Sequence, residues 1–130
     1  GYLQRYGTPE HPEQLAHHAM VHYQQTLGSH SDVFEYLDGK QLKTVRSGGA
    51  VTVNSTETYV AACLAGLGII QVPLMGVRDP LANGQLVSVL PQYCAPPMPV
   101  TLVYPHRLNL SRRVKVFMDW LTEISQTFIA

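Results

Sequence analysis

The sequence predicts an α/β fold, a three-layer sandwich around a mixed, mainly parallel sheet. Three observations carry that expectation. Residues 51–73, VTVNSTETYVAACLAGLGIIQVP, read as strand, polar elbow, helix and strand, with a connection long enough for a parallel crossover. Asp38-Gly39 lies between two strand-like stretches and signals an antiparallel hairpin. A long amphipathic helix closes the chain.

Taken in order, Tyr2-Leu3-Gln4-Arg5-Tyr6-Gly7 reads as the end of a helix with a glycine C-cap, and Gly1 stands where an initiator methionine would. The expectation is a piece of a longer polypeptide that begins mid-fold. Pro12-Glu13-Gln14-Leu15 opens a short helical turn, and 19–23 reads as a strand. Val33-Phe34-Glu35-Tyr36 and Gln41-Leu42-Lys43-Thr44-Val45 form the hairpin, whose Asp38 and Gly39 both tolerate positive φ. Val51-Thr52-Val53 is the first strand of the crossover unit. In the helix after it, Val60, Cys63, Leu64 and Leu67 recur at i, i+3, i+4 and i+7 and share the face expected to meet the core. Gly66 and Gly68 stop that helix. Ile69-Ile70-Gln71-Val72 is the second strand, parallel to the first and closed by Pro73. Residues 74–81 read as a weak helix interrupted by Pro80. Asn83-Gly84 turns the chain into a strand at 86–90, the prolines of 91–99 impose an extended loop, and 100–104 is the last strand. Ser111 caps the final helix, in which Val114, Phe117, Met118, Leu121, Ile124 and Phe128 recur at helical spacing and Trp120 widens the stripe.

With 130 residues, 45% hydrophobic and 14% charged, the chain suits one domain with a packed core. Nine basic residues balance nine acidic ones, so the basic footprint of a nucleic-acid-binding domain is missing. No apolar stretch approaches a membrane span, and the start lacks the pattern of a signal peptide. Two cysteines, Cys63 and Cys94, read as free thiols of a reducing compartment, with the cytoplasm as the expected location.

In open α/β sheets ligands gather beyond the carboxyl ends of the parallel strands. That points at Asn54, Ser55 and Thr56, short polar side chains at the elbow, where helix-opening N–H groups would face a bound anion. The competing reading is capping, with Asn54 as N-cap and Glu57 as its reciprocal partner. Both can hold, because a cap does not consume every N–H. Other chemistry has less support. Among six histidines, His11, His17, His18 and His22 lack metal-site spacing. His18 and His22 would stand about 13 Å apart on a strand, in surface or capping roles. Gly66-Leu67-Gly68 follows a helix and precedes a strand, the reverse of a dinucleotide fingerprint. No GxSxG elbow occurs, and Asp32, Glu35 and Asp38 surround a hairpin rather than a cleft, so no catalytic residue, metal or cofactor is expected. Arg112, Arg113 and Lys115 occupy the first turn of the last helix, where the dipole disfavours cations; a solvated face and an anionic partner both remain open.

Quoted in order, YLQRYGTPEHPEQLAHH, the Asp38-Gly39 hairpin, VNSTETYVAACLAGLGIIQVP, NGQLVSVLP, MPVTLVYPHR and the closing helix resemble the effector-binding region of LysR-type transcriptional regulators, over essentially the whole chain. The resemblance implies a two-lobed fold like that of type 2 periplasmic solute-binding proteins, with an effector in the interlobe cleft. This chain would supply mainly the second lobe (1–100), then a return strand and C-terminal helix (101–130) that pack on a first lobe it lacks. Effector contacts would fall at Asn54, Ser55 and Thr56. Homodimer contacts would fall at Tyr59, Ala61, Ala62, Ala65, Ile69 and Gln71, with the three alanines allowing close approach. The implied partners are a small-molecule effector (an anion or small organic acid), further copies in a homodimer or tetramer, and DNA through a winged helix-turn-helix absent from this chain. A solute-binding lobe of a transport-type protein is the alternative, and a small enzyme on a similar fold the third reading. A titratable cluster near Asn54 would favour the enzyme, and the sequence shows none.

Overall fold

The computed structural model describes residues 1–24, 32–104 and 111–129. The chain divides into two compact units, Gly1–Pro96 and Pro97–Ala130.

The first unit is organised around one strand, β1 (Ala19–Tyr23). Along one edge it pairs in parallel with β4 (Gly48–Val53), with Val21 opposite Val51 and Tyr23 opposite Val53. Along the other edge a parallel bridge joins Met20 and Ile69: Val21 N–H donates to the Ile69 carbonyl at 3.0 Å, and Ile69 N–H to the Ala19 carbonyl at 2.9 Å. Between β4 and Ile69 runs helix α2 (Thr56–Leu64), which crosses over β1. The crossover unit is therefore parallel, as the sequence predicts.

Side chains alternate across β1 because successive residues of a strand point to opposite faces. Val21 joins Tyr59 and Ala62 of α2, with Val51, Val53, Ile70 and Val72 packed around them. Met20 enters a second cluster of Leu15, Phe34, Tyr36, Ile69 and Leu90 on the opposite face. Leu15 comes from a 3₁₀ turn (Pro12–His17) and is fully buried, a gain of about 1.5–3 kcal/mol over leaving it in water. Ahead of that turn, α1 (Tyr2–Tyr6) ends at Gly7, as expected. Tyr2 reaches across to β1, its hydroxyl accepting from Ala19 N–H at 2.8 Å.

The hairpin is present as β2 (Val33–Asp38) and β3 (Gln41–Arg46), paired antiparallel from Val33–Arg46 to Asp38–Gln41. Its turn lies one residue later than the Asp-Gly signal suggests. Only Gly39 takes positive φ (62°); Asp38 is still in the strand. Among the described residues, the outer edge of β2 meets no strand. Leu37 N–H donates to the Cys94 carbonyl at 2.9 Å, and the Gln71 side-chain amide donates to the Glu35 carbonyl at 2.7 Å. In place of one continuous mixed sheet, the described strands form a parallel pair and an antiparallel pair, and the Gln71 side chain, from outside both, reaches the edge of the second. The loop that supplies Cys94 is itself held by Tyr93, edge-on to Tyr36 at 5.5 Å and 3.2 Å from His11 Nδ1.

Several expected elements differ. Residues 69–72 form only the single bridge at Ile69, because past it the Tyr59 hydroxyl, not a neighbouring strand, engages the backbone of Gln71. Residues 86–90 are not a strand: Leu86 N–H turns back to the Pro80 carbonyl, and Leu90 is buried with φ at 54°. Residues 100–104 are irregular, and no strand for them to pair with exists among the described residues of their unit. Pro80 does not interrupt a helix; it sits in the first turn of α3 (Arg78–Ala82), where its missing N–H costs nothing. α2 is rolled by one residue, about 100°, from the expected stripe. Tyr59 and Ala62 face the core, whereas Leu64 and Leu67 are 45% and 51% exposed. His18 and His22 are buried rather than at the surface, His18 with its Nδ1 3.3 Å from the Tyr2 hydroxyl.

In the second unit α4 (Arg112–Ile129) is one 18-residue helix, about 27 Å long. Ser111 caps it as the sequence predicts, its Oγ accepting from Val114 N–H at 3.4 Å. Phe117 and Trp120 lie against each other at 5.7 Å and are about half exposed. No described helix is long and apolar enough to cross a membrane.

After α2 the chain passes close to β1 at Gly68. A Cβ there would lie 2.4 Å from the Ala19 carbonyl oxygen, which already accepts from Ile69. Gly68→Ala should lower unfolding free energy by about 1–3 kcal/mol in urea titration. Gly76→Ala, whose Cβ meets nothing nearer than Val72 at 3.9 Å, should stay within about 0.5 kcal/mol of the parent.

Candidate functional site

The carboxyl ends of β1 and β4 lie side by side, with Tyr23 opposite Val53 and Gln24 N–H donating to the Val53 carbonyl at 2.9 Å. The polar elbow leaves from this edge. Asn54 is exposed and Ser55 half-buried, and α2 opens at Thr56, which is exposed. Asn54, Ser55 and Thr56 are therefore brought together at the sheet's carboxyl edge.

Capping divides them differently from the sequence reading. Ser55, not Asn54, is the N-cap: its backbone is extended (φ −127°, ψ 138°) and its Oγ accepts from Thr58 N–H at 3.3 Å. The cause lies in the strand, which runs to Val53 and leaves Asn54 as a bend before the helix. Glu57 accepts from the Ser55 hydroxyl at 2.8 Å. Its own backbone N–H, and then that hydroxyl, hold its carboxyl below the usual range. The amino end of α2 thus faces a carboxylate of the chain itself. Of the opening amides, Thr58 goes to Ser55, Glu57 to its own side chain, and Tyr59 to the Ser55 carbonyl at 3.0 Å. Thr56 alone keeps an amide with no assigned acceptor among the described residues. Gln24 and Glu57 belong to this edge and were missed as site residues. Glu57 could have been found by moving the cap one residue; Gln24 follows the strand directly and carries no motif.

The residues singled out for dimer contacts separate into two groups. Tyr59, Ala62 and Ile69 are buried in the unit's own core. Ala61 and Ala65 are exposed, and Gln71 is half-buried with its amide on Glu35. Ala61 lines an open depression of about 400 Å³ with Thr56, Glu57, Val60, Leu64 and Gly76, on the side of α2 away from β1. Burial pushes the Cys63 thiol up, which lowers its thiolate fraction, and no three His, Cys, Asp or Glu residues among those described gather as a metal site.

Residues 1–126 match the family of LysR substrate-binding domains, and the chain belongs to that family. It has the type 2 periplasmic-binding-protein-like fold and belongs to the regulatory, effector-binding part of LysR-type transcription regulators. The chain is 47% identical over 128 residues to the HTH-type transcriptional regulator YhjC of Escherichia coli (strain K12), covering 98% of this chain and 43% of that protein. It is 33% identical to the HTH-type transcriptional activator AaeR of the same strain, covering 94% of this chain and 39% of that one. Among solved structures, the regulatory domain of AphB from Vibrio vulnificus superposes with a TM-score of 0.71 at 25% identity, over 95% of this chain and 60% of that chain. CrgA from Neisseria meningitidis gives 0.60 at 27% identity, over 73% and 31%. The chain spans less than half the length of the curated relatives it matches. Those relatives are bacterial transcription regulators, rather than transport-type binding proteins or enzymes.

Ser55→Ala should cost about 1 kcal/mol of stability and Asn54→Ala only a few tenths, measured as urea midpoints at constant slope. With an aromatic disulfide reagent, exposed Cys94 should react well ahead of half-buried Cys63, and the difference should vanish in denaturant.

Proposed function

We propose that this chain is the second lobe (1–100) of a regulator's effector-binding domain, with 101–130 returning to a first lobe, and that the effector is read at Asn54, Ser55 and Thr56. The observation that carries this is the position of the elbow: three short polar side chains, exposed or half-buried, at the joint carboxyl edge of two parallel strands. The effector is a small organic acid. Its carboxylate takes over the amide and hydroxyl now turned to Glu57, so that binding exchanges an internal anion for an external one. Regulation follows as a population shift, because an effector that fits one arrangement better draws the molecule toward it.

The second copy docks on the outer side of α2, in the depression beside Ala61, with Ala65 and Leu64 at the contact. Tyr59, Ala62 and Ile69 support that surface from beneath, and Gln71 lies at its border. The small side chain of Ala61, the lack of one at Gly76 and the exposed Leu64 support such a contact. DNA is bound by a helix-turn-helix outside these residues, and the protein works in the cytoplasm.

In the complete regulator, calorimetric titration with its cognate organic acid should show Asn54→Ala weakening binding roughly ten- to a hundred-fold, the loss of one hydrogen bond to a charged group. Glu57→Gln should tighten it, since the competing charge is gone. Unchanged affinity in both variants would leave the elbow as a cap alone. Ala61→Lys should shift the sedimentation of the regulator toward monomer while leaving its melting temperature close to the parent; a persistent dimer would remove this face from the contact.

A further inference from the structure

Beyond Ile69 the chain leaves the β1 ladder, yet its backbone stays engaged. The buried Tyr59 places its hydroxyl against a single residue, accepting from Gln71 N–H at 3.0 Å and donating to the Gln71 carbonyl at 3.2 Å. Gln71 in turn donates its side-chain amide to the Glu35 carbonyl at 2.7 Å, on the outer edge of β2. Helix α2, the end of the crossover and the hairpin are thus joined by a phenol and a carboxamide where a continuous sheet would have a ladder. Such a link differs from strand pairing in one respect. It is a short series of single bonds, so it can be cut without unpairing a strand.

We propose that Tyr59 and Gln71 form a cross-brace that makes α2 and the β2–β3 hairpin move as one body. Tyr59 fixes the Gln71 backbone, and the Gln71 amide, held in place by that fixing, grips the edge of the hairpin. Both are positioning residues. The brace stands on these contacts alone; the proposed function enters only in what would displace α2, whether an effector at its amino end or a second copy on its outer side.

Hydrogen exchange of the full chain tests it, comparing the hairpin amides of 33–46 with those of α2 in Tyr59→Phe, Gln71→Asn and the double variant. Phenylalanine keeps the ring and loses the hydroxyl; asparagine keeps the amide but draws it back by one methylene. Each single change should speed hairpin exchange about three- to ten-fold, as expected for one hydrogen bond. The double variant should be no faster at the hairpin than Gln71→Asn, because Tyr59 acts through Gln71. In Gln71→Asn the α2 amides should stay within about two-fold of the parent, which separates loss of the brace from general loosening. Hairpin exchange unchanged in Tyr59→Phe, effects that multiply in the double variant, or α2 rising together with the hairpin in Gln71→Asn would each overturn the proposal. The measurement needs neither effector nor dimer, so its outcome is independent of the functional reading above.

Discussion

Strand β1 is the constraint on which the first unit depends. Both of its edges are hydrogen-bonded, to β4 and to Ile69, and its two faces feed two separate clusters through Val21 and Met20. A strand used on four sides tolerates little shift in register, since a one-residue slip would exchange the faces of every side chain. The close contact of Gly68 with Ala19 and the roll of α2 both follow. The helix must present Tyr59 and Ala62 to Val21, and the chain must pass close to the β1 backbone to reach its second edge.

The parts of the fold legible in the sequence were those set by local chemistry. The hairpin, the crossover helix, the Ser111 cap and the glycine that ends α1 each depend on a few adjacent residues, and each is present. What the sequence did not reveal depends on distant partners. Val60, Cys63, Leu64 and Leu67 make a regular stripe, but the buried face was decided by a tyrosine whose hydroxyl needed the backbone of Gln71. The stretches 86–90 and 100–104 have strand-like composition and no neighbour among the described residues with which to form a ladder. Composition can supply a strand's side chains but cannot supply its partner. The position of the elbow was legible for the same reason the helix was. Its cap was misplaced by one residue because Asn54 and Ser55 are both good caps, and only the length of β4 decides between them.

The elbow also shows how one short segment carries two electrostatic demands. The opening turn of a helix favours negative charge, and here Glu57 satisfies it from within the first turn. The arrangement stabilises α2 when nothing else is present. In the proposed function it would also set a threshold, because an incoming anion would compete with a tethered carboxylate rather than enter an empty site. Family membership and fold say that the chain belongs to a regulatory domain; the proposed competition at Glu57 would govern how sensitive such a domain is to its ligand.

The contact between His11 and Tyr93 joins residues 82 positions apart, and it lies beside the cluster that contains Leu15 and Tyr36. A nascent chain leaving the ribosome can form the β2–β3 hairpin early, from neighbours alone. β1 cannot: it emerges well before β4, and its other edge waits for Ile69. Translation therefore exposes an unpaired, apolar Met20-Val21 segment for many residues, until the crossover is complete and the Tyr93 loop closes over the early turn. Folding of this unit is governed by long-range closure more than by helix formation.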